Sequence, residues 1–479
     1  MLDELRARAT ALGAAAAPLE PGAEARAALM DLVFGHAQQF LESLESAPAN
    51  RGWAEVFADP LVPEFAETPR DPAAVLEWLG RGVEDPGIAT ASPRFTGYIP
   101  GGGLFHSALG DFLAATANKY AGFASAAPGA VRLENATCAW LARVIGYPEG
   151  AAGTLTSGGS MANLTAIVAA REALDEPGGG AVYLTRFAHH CIDKALRIAG
   201  RARAPRRLIE TDGNHRMRLD SLREALARDR AEGVRPWLII ASAGTVDTGA
   251  VDPLADIADL AVEHGAWFHV DGAYGGLFML CEEGREVLGG IERADSVALD
   301  PHKTLFLPYG TGAVLLRDGQ KLIDAFGASA DYLRPLGETE VGPSPGDLSP
   351  ELTRHFRALR LWLPLQLAGV AAFRAAQREK IALARYFHAR LARSPRWEAI
   401  APDLSVVAFR YQPESGDRDA FNDRLLKYVQ DEGRVFMSGT RIGGESWLRC
   451  AILSFRTHLA HIDETIDALE RAAAALQGQ

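Results

Sequence analysis

Two short segments of this sequence carry side chains whose types and order suit covalent catalysis. One is a strand-like run, Ala266-Trp267-Phe268-His269-Val270, ending in Asp271-Gly272-Ala273-Tyr274-Gly275-Gly276; the other is Asp300-Pro301-His302-Lys303. A carboxylate at one strand end and a lysine at the next are what a pyridoxal phosphate (PLP) site requires. The lysine forms a Schiff base with the cofactor aldehyde. The carboxylate keeps the pyridine nitrogen protonated, so that the ring draws electrons from Cα. Each residue also has a plainer reading: Asp271 as a turn cap, Lys303 as an exposed loop lysine.

Further pieces fall in the same order along the chain. Gly153-Thr154-Leu155-Thr156-Ser157-Gly158-Gly159-Ser160-Met161-Ala162-Asn163 precedes an apolar helix ending near Leu174. Glycines admit close backbone approach, and the free N–H groups at a helix start favour an anion such as phosphate. His189 follows the strand Ala181–Thr185, and Gly244-Thr245 follows Trp237–Ala241. A Gly/Ser turn or a His-His pair means little alone; together at successive strand ends they define a cofactor pocket. Neither GxxxxGK[ST] nor GxGxxG is present, so a P-loop or dinucleotide fingerprint does not compete. No HExxH occurs and no third or fourth metal ligand can be placed beside His189, so no metal is expected. His458 and His461, three apart on a helix, read as surface residues.

These pieces need an α/β frame. Strands are expected at Ala181–Thr185, Arg207–Glu210, Trp237–Ala241, Trp267–Val270, Ser296–Leu299 and Gly312–Leu316, alternating with helices. Ser221-Leu222-Arg223-Glu224 reads as a capping box, and Asp252-Pro253 as a helix start that Gly265 closes. Such alternation argues for βαβ units and a mainly parallel sheet, with ligands at the carboxyl ends of its strands. Upstream, residues 1 to about 120 show helical stretches (22–45 and 72–82) and then the Pro/Gly-rich loop Ser92–Gly103, either a pocket wall or a domain connection. Downstream of an amphipathic stretch, Glu351–Leu391, strands are expected at Leu404–Tyr411, Arg434–Ser438 and Trp447–Ser454 with helices at 418–431 and 460–476, a smaller α+β unit.

Composition bounds the function classes. With 479 residues, 48% hydrophobic and 23% charged, the chain is an ordinary globular protein of two to three domains. A formal charge of −12 argues against a nucleic-acid binder. Four scattered cysteines suggest neither a disulfide framework nor a zinc site. No apolar run reaches the ~18 residues of a membrane span. The acidic Met1–Arg6 start lacks the marks of a signal peptide, so a cytoplasmic location is the expectation.

The order and wording of these motifs resemble the group II PLP-dependent amino acid decarboxylases, the family that includes aromatic-L-amino-acid, glutamate and histidine decarboxylases. The resemblance runs from about residue 90 to 460, and Asp-Gly-Ala-Tyr-Gly-Gly and Asp-Pro-His-Lys are its most specific parts. It implies PLP fold type I (aspartate-aminotransferase-like). The segment 1–120 is then a helical arm wrapped on a partner subunit, 121–375 the PLP-binding α/β large domain and 376–479 the α+β small domain. It also implies Lys303 as the Schiff-base lysine, Asp271 on the pyridinium nitrogen, His189 stacked on the ring and Ala273 against its other face. Gly159 and Ser160 match the phosphate turn, Asp300 and His302 lie close to the same phosphate, and Thr245 lies beside the phenolic edge. Asp300 departs from the asparagine common there in animal members, and a carboxylate beside a phosphate is unfavourable unless offset.

PLP alone does not choose the reaction. The protein does, by holding one Cα bond perpendicular to the ring and by supplying the acid that protonates Cα after CO₂ leaves. The family places a tyrosine for this on a loop after the lysine segment. Tyr332 in Phe326–Arg334 matches it, and the following Gly337–Ser349 has lid-like composition. Family members with phenylalanine here tend toward aldehydes, so Tyr332 favours simple decarboxylation. By resemblance the substrate pocket is formed by Tyr98, Ile99, Pro100, Gly101 and, from a partner subunit, Tyr120. Its apolar character leans toward an aromatic amino acid; Arg94 has two readings, a partner for an acidic side chain instead or a structural role in the loop. Around Leu352-Thr353-Arg354 the resemblance implies a reach toward the other subunit's phosphate. The expected assembly is a homodimer with interfacial active sites. Rival readings are an aldehyde synthase or another PLP lyase or aminotransferase, and a non-catalytic protein that kept the fold.

Overall fold

The computed structural model describes residues 1–52, 65–174, 180–327 and 341–477. By its internal contacts the chain divides into two compact units, Met1–Ser92 and Pro93–Gln479.

The first unit is helical. Helices Leu2–Ala15 and Ala23–Ser43 contain no buried residue, although the second carries Leu29, Leu32, Val33 and Phe34. A third helix, Pro72–Leu79, starts with proline in its first turn and is capped by Asp71, which accepts from the N–H of Ala74 at 3.0 Å.

In the second unit a seven-stranded sheet is formed by β1 (Ala152–Thr156), β2 (Ala181–Thr185), β3 (Arg206–Ile209), β4 (Pro236–Ser242), β5 (Trp267–Gly272), β6 (Ser296–Leu299) and β7 (Gly312–Leu316). Their order is β1-β7-β6-β5-β4-β2-β3. All neighbours pair in parallel except β7, which is antiparallel to β6 and β1. Central strands β2, β4, β6 and β7 are buried along their whole length, as expected where helices cover both faces. Strand β1 was not among the expected strands: its glycine and threonines read as part of the turn that follows. It forms because Gly153 lets β7 approach closely, a Cβ there lying 2.4 Å from the Val314 carbonyl oxygen.

Two helix starts differ from expectation. Ser221 lies inside the helix Leu219–Ala231, and its hydroxyl accepts from the N–H of Glu210 at 3.3 Å instead of capping. Asp252 does not cap Leu254–His264; its carboxylate accepts from Met217 N–H at 2.7 Å and Ser242 N–H at 2.8 Å, tying β4 to a neighbouring loop. Full burial pushes the Asp252 carboxyl up to about 6. Gly265 does end that helix, in the left-handed conformation at φ +63°.

The smaller sheet pairs β8 (Trp397–Ala399), β9 (Val406–Tyr411), β10 (Ser438–Ile442) and β11 (Glu445–Ala451) antiparallel in the order β10-β11-β9-β8. Helices Val370–Leu391, Arg418–Glu432 and Leu459–Gln477 close its core around Phe387, Phe409, Leu425, Leu448 and Ile466. Arg434–Met437 is not a strand; only Phe436 makes an isolated bridge, to Phe95, and β10 begins at Ser438. His461 is buried rather than on the surface, its Nδ1 accepting from the N–H of His458 at 3.0 Å. Among the described residues no helix is long and apolar enough to cross a membrane, and no cluster of His, Cys, Asp and Glu is suited to hold a metal.

Candidate active site

The parallel register brings the chemistry together. Ser242 of β4 pairs with Asp271 of β5, and Asp271 pairs with Ala298 of β6, so the three strands end side by side. The chain leaving β6 makes one short helix, Pro301–Thr304, and returns as antiparallel β7. Proline opens that turn, and the N–H of Lys303 closes on the Asp300 carbonyl at 2.9 Å. Thr304 donates from its hydroxyl to the Tyr274 carbonyl, which pins the lysine segment to the Asp271–Gly276 segment. Gly275 and Gly276 are required by packing: a Cβ would lie 2.1 Å from the Ala243 carbonyl oxygen or 2.5 Å from Leu299.

A cavity of about 270 Å³ opens at these strand ends. Lys303, Asp271, Ala273, His189, Gly159, Ser160, Thr245, His302 and Asp300 all line it. Lys303 Nζ lies 2.8 Å from Asp300 Oδ2. Burial opposes the ammonium charge, but Asp300 and then Asp271 outweigh it, and the Lys303 amine is raised above its ordinary value. Asp271 accepts from the N–H of Ala273 at 3.2 Å. His189 is lowered, chiefly by burial against a partial offset from Asp271, and its Nδ1 accepts from the N–H of Cys191 at 3.3 Å. It is therefore a neutral ring with its proton on Nε2. His302 is also lowered by burial, and its Nδ1 donates to the Thr311 carbonyl at 2.7 Å. Thr245 shares a 2.8 Å hydrogen bond with Thr248.

The helix Gly159–Glu172 begins at the cavity wall. Gly158 adopts φ +154°, ψ 176°, a conformation essentially confined to glycine. A Cβ on Gly159 would lie 2.8 Å from Asp300 Oδ2 and 3.0 Å from Ala273 Cβ. Amide N–H groups at a helix start, an amine, a carboxylate and a neutral imidazole around one cavity fit PLP: phosphate, aldehyde, ring nitrogen and ring face each find a matching group. In this arrangement Lys303 would hold the aldehyde, Asp271 the ring nitrogen and the Gly159-Ser160 turn the phosphate.

Several cavity residues were not singled out from sequence: Ser157, Asn163, Phe187, Cys191, Ser242 and Tyr274. Asn163 lies one helical turn after Gly159, and Cys191 two residues after His189, so proximity to the motifs was the available signal. Behind the cavity, His269 Nε2 meets Asn163 Oδ1 at 2.7 Å and its Nδ1 meets Ser296 Oγ at 2.8 Å. Burial lowers His269 to about 4. Asn163 in turn donates to Cys191 Sγ at 3.5 Å, and burial pushes that thiol up to about 12.

Tyr98, Ile99, Pro100, Gly101 and Tyr120 do not line this cavity. Gly101 donates its N–H to Tyr309 Oη at 3.1 Å, and a Cβ on Gly102 would lie 2.3 Å from the Phe306 carbonyl oxygen. This loop packs on the segment that carries Lys303. Tyr98 is over half exposed, at φ +50°, and Tyr120 stacks on Phe123 with centroids 6.1 Å apart. Arg94 is buried and donates to Glu464 at 2.6 Å, so its charge is spent within the fold. Arg354 is buried too. It pairs with Glu134 at 2.9 Å and donates to Thr154 Oγ1 at 2.9 Å, which holds β1. Tyr332 lies outside the described residues.

Residues 81–412 match the pyridoxal-dependent decarboxylase conserved domain. An aromatic-L-amino-acid decarboxylase of Bacillus atrophaeus is 35% identical over 438 residues, covering 89% of this chain and 90% of that protein. A phenylacetaldehyde synthase of Arabidopsis thaliana is 31% identical over 404 residues, covering 80% and 82% respectively. In three dimensions the Oryza sativa TDC solved with PLP and tryptamine superposes with a TM-score of 0.88 at 25% identity, over 96% of this chain and 99% of that one. A lysine, an aspartate and a neutral histidine around one cavity at parallel strand ends thus accompany a match over most of the chain, and the protein belongs to the pyridoxal-dependent decarboxylase family, a PLP-dependent carboxy-lyase.

Proposed function

We propose that this chain removes the α-carboxyl group of an aromatic L-amino acid, releasing the amine and CO₂. The observation that carries the reading is the single cavity in which Lys303, Asp271 and His189 converge beside the Gly159-Ser160 turn. The aromatic preference is supported by likeness to the aromatic-L-amino-acid decarboxylase and by Arg94, whose pairing with Glu464 removes the cation considered for an acidic side chain.

PLP supplies a sink for the electron pair left on Cα when the carboxylate departs. The residues of the chain do the rest. Lys303 would tether the cofactor through Nζ, Asp271 would hold a proton at its ring nitrogen, and the neutral His189 ring would meet it without adding charge. Tyr332 donates the proton that ends up on Cα, which yields an amine. A second reading, aldehyde formation, has its support in the likeness to phenylacetaldehyde synthase; a tyrosine at 332 favours the amine.

The assembly proposed is a homodimer, with Tyr98–Gly101 and the partner's Tyr120 forming the side-chain pocket. Supporting this, the helix Ala23–Ser43 leaves Leu29, Leu32, Val33 and Phe34 exposed, and the helix Phe105–Ala117 leaves Phe105, Phe112 and Leu113 exposed. Measuring CO₂ release and products from the twenty amino acids and hydroxylated aromatics, with Lys303→Ala as control, tests the activity. Turnover of glutamate or aspartate but not tyrosine, tryptophan or dihydroxyphenylalanine would overturn the substrate class. Sedimentation as a monomer at micromolar concentration would overturn the assembly.

A further inference from the structure

Five hydrogen bonds behind the cavity run in one direction. Trp267 Nε1 donates to Ser296 Oγ at 2.8 Å. The 2.7 Å bond between His269 Nε2 and Asn163 Oδ1 requires the proton on Nε2, because a carbonyl oxygen only accepts. In the neutral ring Nδ1 is then the acceptor, and the Ser296 hydroxyl donates to it at 2.8 Å. The Asn163 amide nitrogen donates to Cys191 Sγ at 3.5 Å, and the Cys191 N–H donates to His189 Nδ1 at 3.3 Å. Ser296 and His269 are wholly buried, and Asn163 and Cys191 nearly so.

The chain of bonds joins four elements around the cavity. Asn163 is on the helix Gly159–Glu172, one turn after its start. His269 lies on β5 two residues before Asp271, so both side chains point to the same face of the sheet. Cys191 opens the helix Cys191–Ile198 just after His189, and Ser296, the register partner of His269, begins β6. Asn163 and Cys191 line the cavity; His269 and Ser296 do not. A rigid ligand held at both ends needs its two anchors at one separation, and small errors in that separation are costly. Apolar packing would press the helix on the sheet without fixing its rotation. A neutral imidazole with one donor and one acceptor nitrogen fixes which way the Asn163 amide faces, and so how the helix start stands relative to Asp271.

We propose that His269 is a positioning residue of the cofactor site. Through Asn163 it sets the glycine turn at the distance from Asp271 that PLP requires, and through Cys191 it holds His189 with Nδ1 as acceptor. The inference rests on the reading that Asp271, His189 and the Gly159-Ser160 turn hold PLP. Because neither His269 nor Ser296 faces the cavity, either can be changed without deleting a cofactor contact.

The test titrates the apo-protein of each variant with PLP and measures unfolding on the same material. His269→Leu should weaken PLP binding about tenfold to a hundredfold, the range found when the outer support of a ligand-holding side chain is removed. His269→Gln, whose amide can donate to Asn163 and accept from Ser296, should restore most of the affinity. Asn163→Leu should weaken binding as well, and the double variant with His269→Leu no further than the worse single one, since both cut the same chain of bonds. Ser296→Ala deletes one oxygen and serves if His269→Leu does not fold; it leaves Nδ1 without its donor and should also weaken PLP binding. A role in core stability alone would lower unfolding stability and leave PLP affinity at the wild-type value. That result in His269→Leu or Ser296→Ala, additive losses in the double variant, or no restoration by glutamine each overturns the proposal. Borohydride fixation and peptide mapping of the wild type separate it from the reading beneath it. A label on Lys303 with unchanged affinities in the variants sinks the proposal alone, whereas a label elsewhere sinks the cofactor site and the proposal with it.

Discussion

Lys303 Nζ and Asp300 Oδ2 lie 2.8 Å apart, three residues from each other on one helical turn at the end of β6. The carboxylate raises the amine that must act as nucleophile above its ordinary value, and the same contact fixes its position in the cavity wall.

Removal of that amine gives the most direct test of the site. Lys303→Ala should abolish borohydride fixation of PLP and CO₂ release while leaving the circular dichroism spectrum unchanged. A label that persists on another lysine would relocate the site.

Tyr332→Phe bears on the fate of Cα. Losing a general acid costs about 10²–10⁴-fold in rate, so amine formation should fall by that order while the absorbance of bound PLP stays as in the wild type. Chromatography of products decides, because equal amine output would remove Tyr332 from the mechanism.

Gly159→Ala places a methyl group between Asp300 and Ala273, where the nearest atoms are 2.8 and 3.0 Å from the added Cβ. Ala273 Cβ is fixed to its backbone and Asp300 Oδ2 is tied to Lys303 Nζ, so the turn or that ion pair must shift. Overpacking of this size should weaken PLP binding roughly tenfold to a hundredfold, as read from cofactor titration. Unaltered affinity would mean that the phosphate does not use this turn.

The buried Arg354–Glu134 pair makes a stability prediction. Glu134 also accepts from the N–H of Leu155 at 3.0 Å, so it is anchored to β1. Arg354→Met leaves that carboxylate buried without its cation and should cost about 3–5 kcal/mol in denaturant unfolding. Adding Glu134→Gln should recover much of the loss; no recovery would point to lost packing rather than lost charge.

His269 and Asp252 predict opposing responses to acid. His269 falls from 6.5 to about 4 on folding, so the unfolded chain binds its proton first and stability drops as pH falls from 6.5 toward 4. Asp252 rises from 3.8 to about 6, so the folded chain binds its proton first and stability is gained as pH falls over that range. The two slopes, each about 1.4 kcal/mol per pH unit, nearly cancel between pH 6 and 4. His269→Gln should therefore gain on the wild type by about that slope as pH drops, in unfolding titrations at stepped pH. A constant gap between the two proteins would show that the ring is not kept neutral.

What the chain's residues determined unaided was the chemistry and the order of the strands that carry it. Asp271, His189 and Lys303 each follow an apolar run whose β-branched and aromatic content specifies a buried strand, and such a signal is local. What only the folded molecule decided depends on partners distant in sequence. Strand β1 exists because β7 lies beside it, and Asp252 serves β4 because two backbone N–H groups, from Ser242 and Met217, converge on it. The charges of Arg94 and Arg354 are paired with Glu464 and Glu134, residues far away in the chain, so no local pattern could reveal either pairing. Asp300 shows the division within one residue. Its type and place in the motif are written in the sequence, whereas the pairing of one oxygen and the isolation of the other arise from how β6, the glycine turn and the lysine helix close around it.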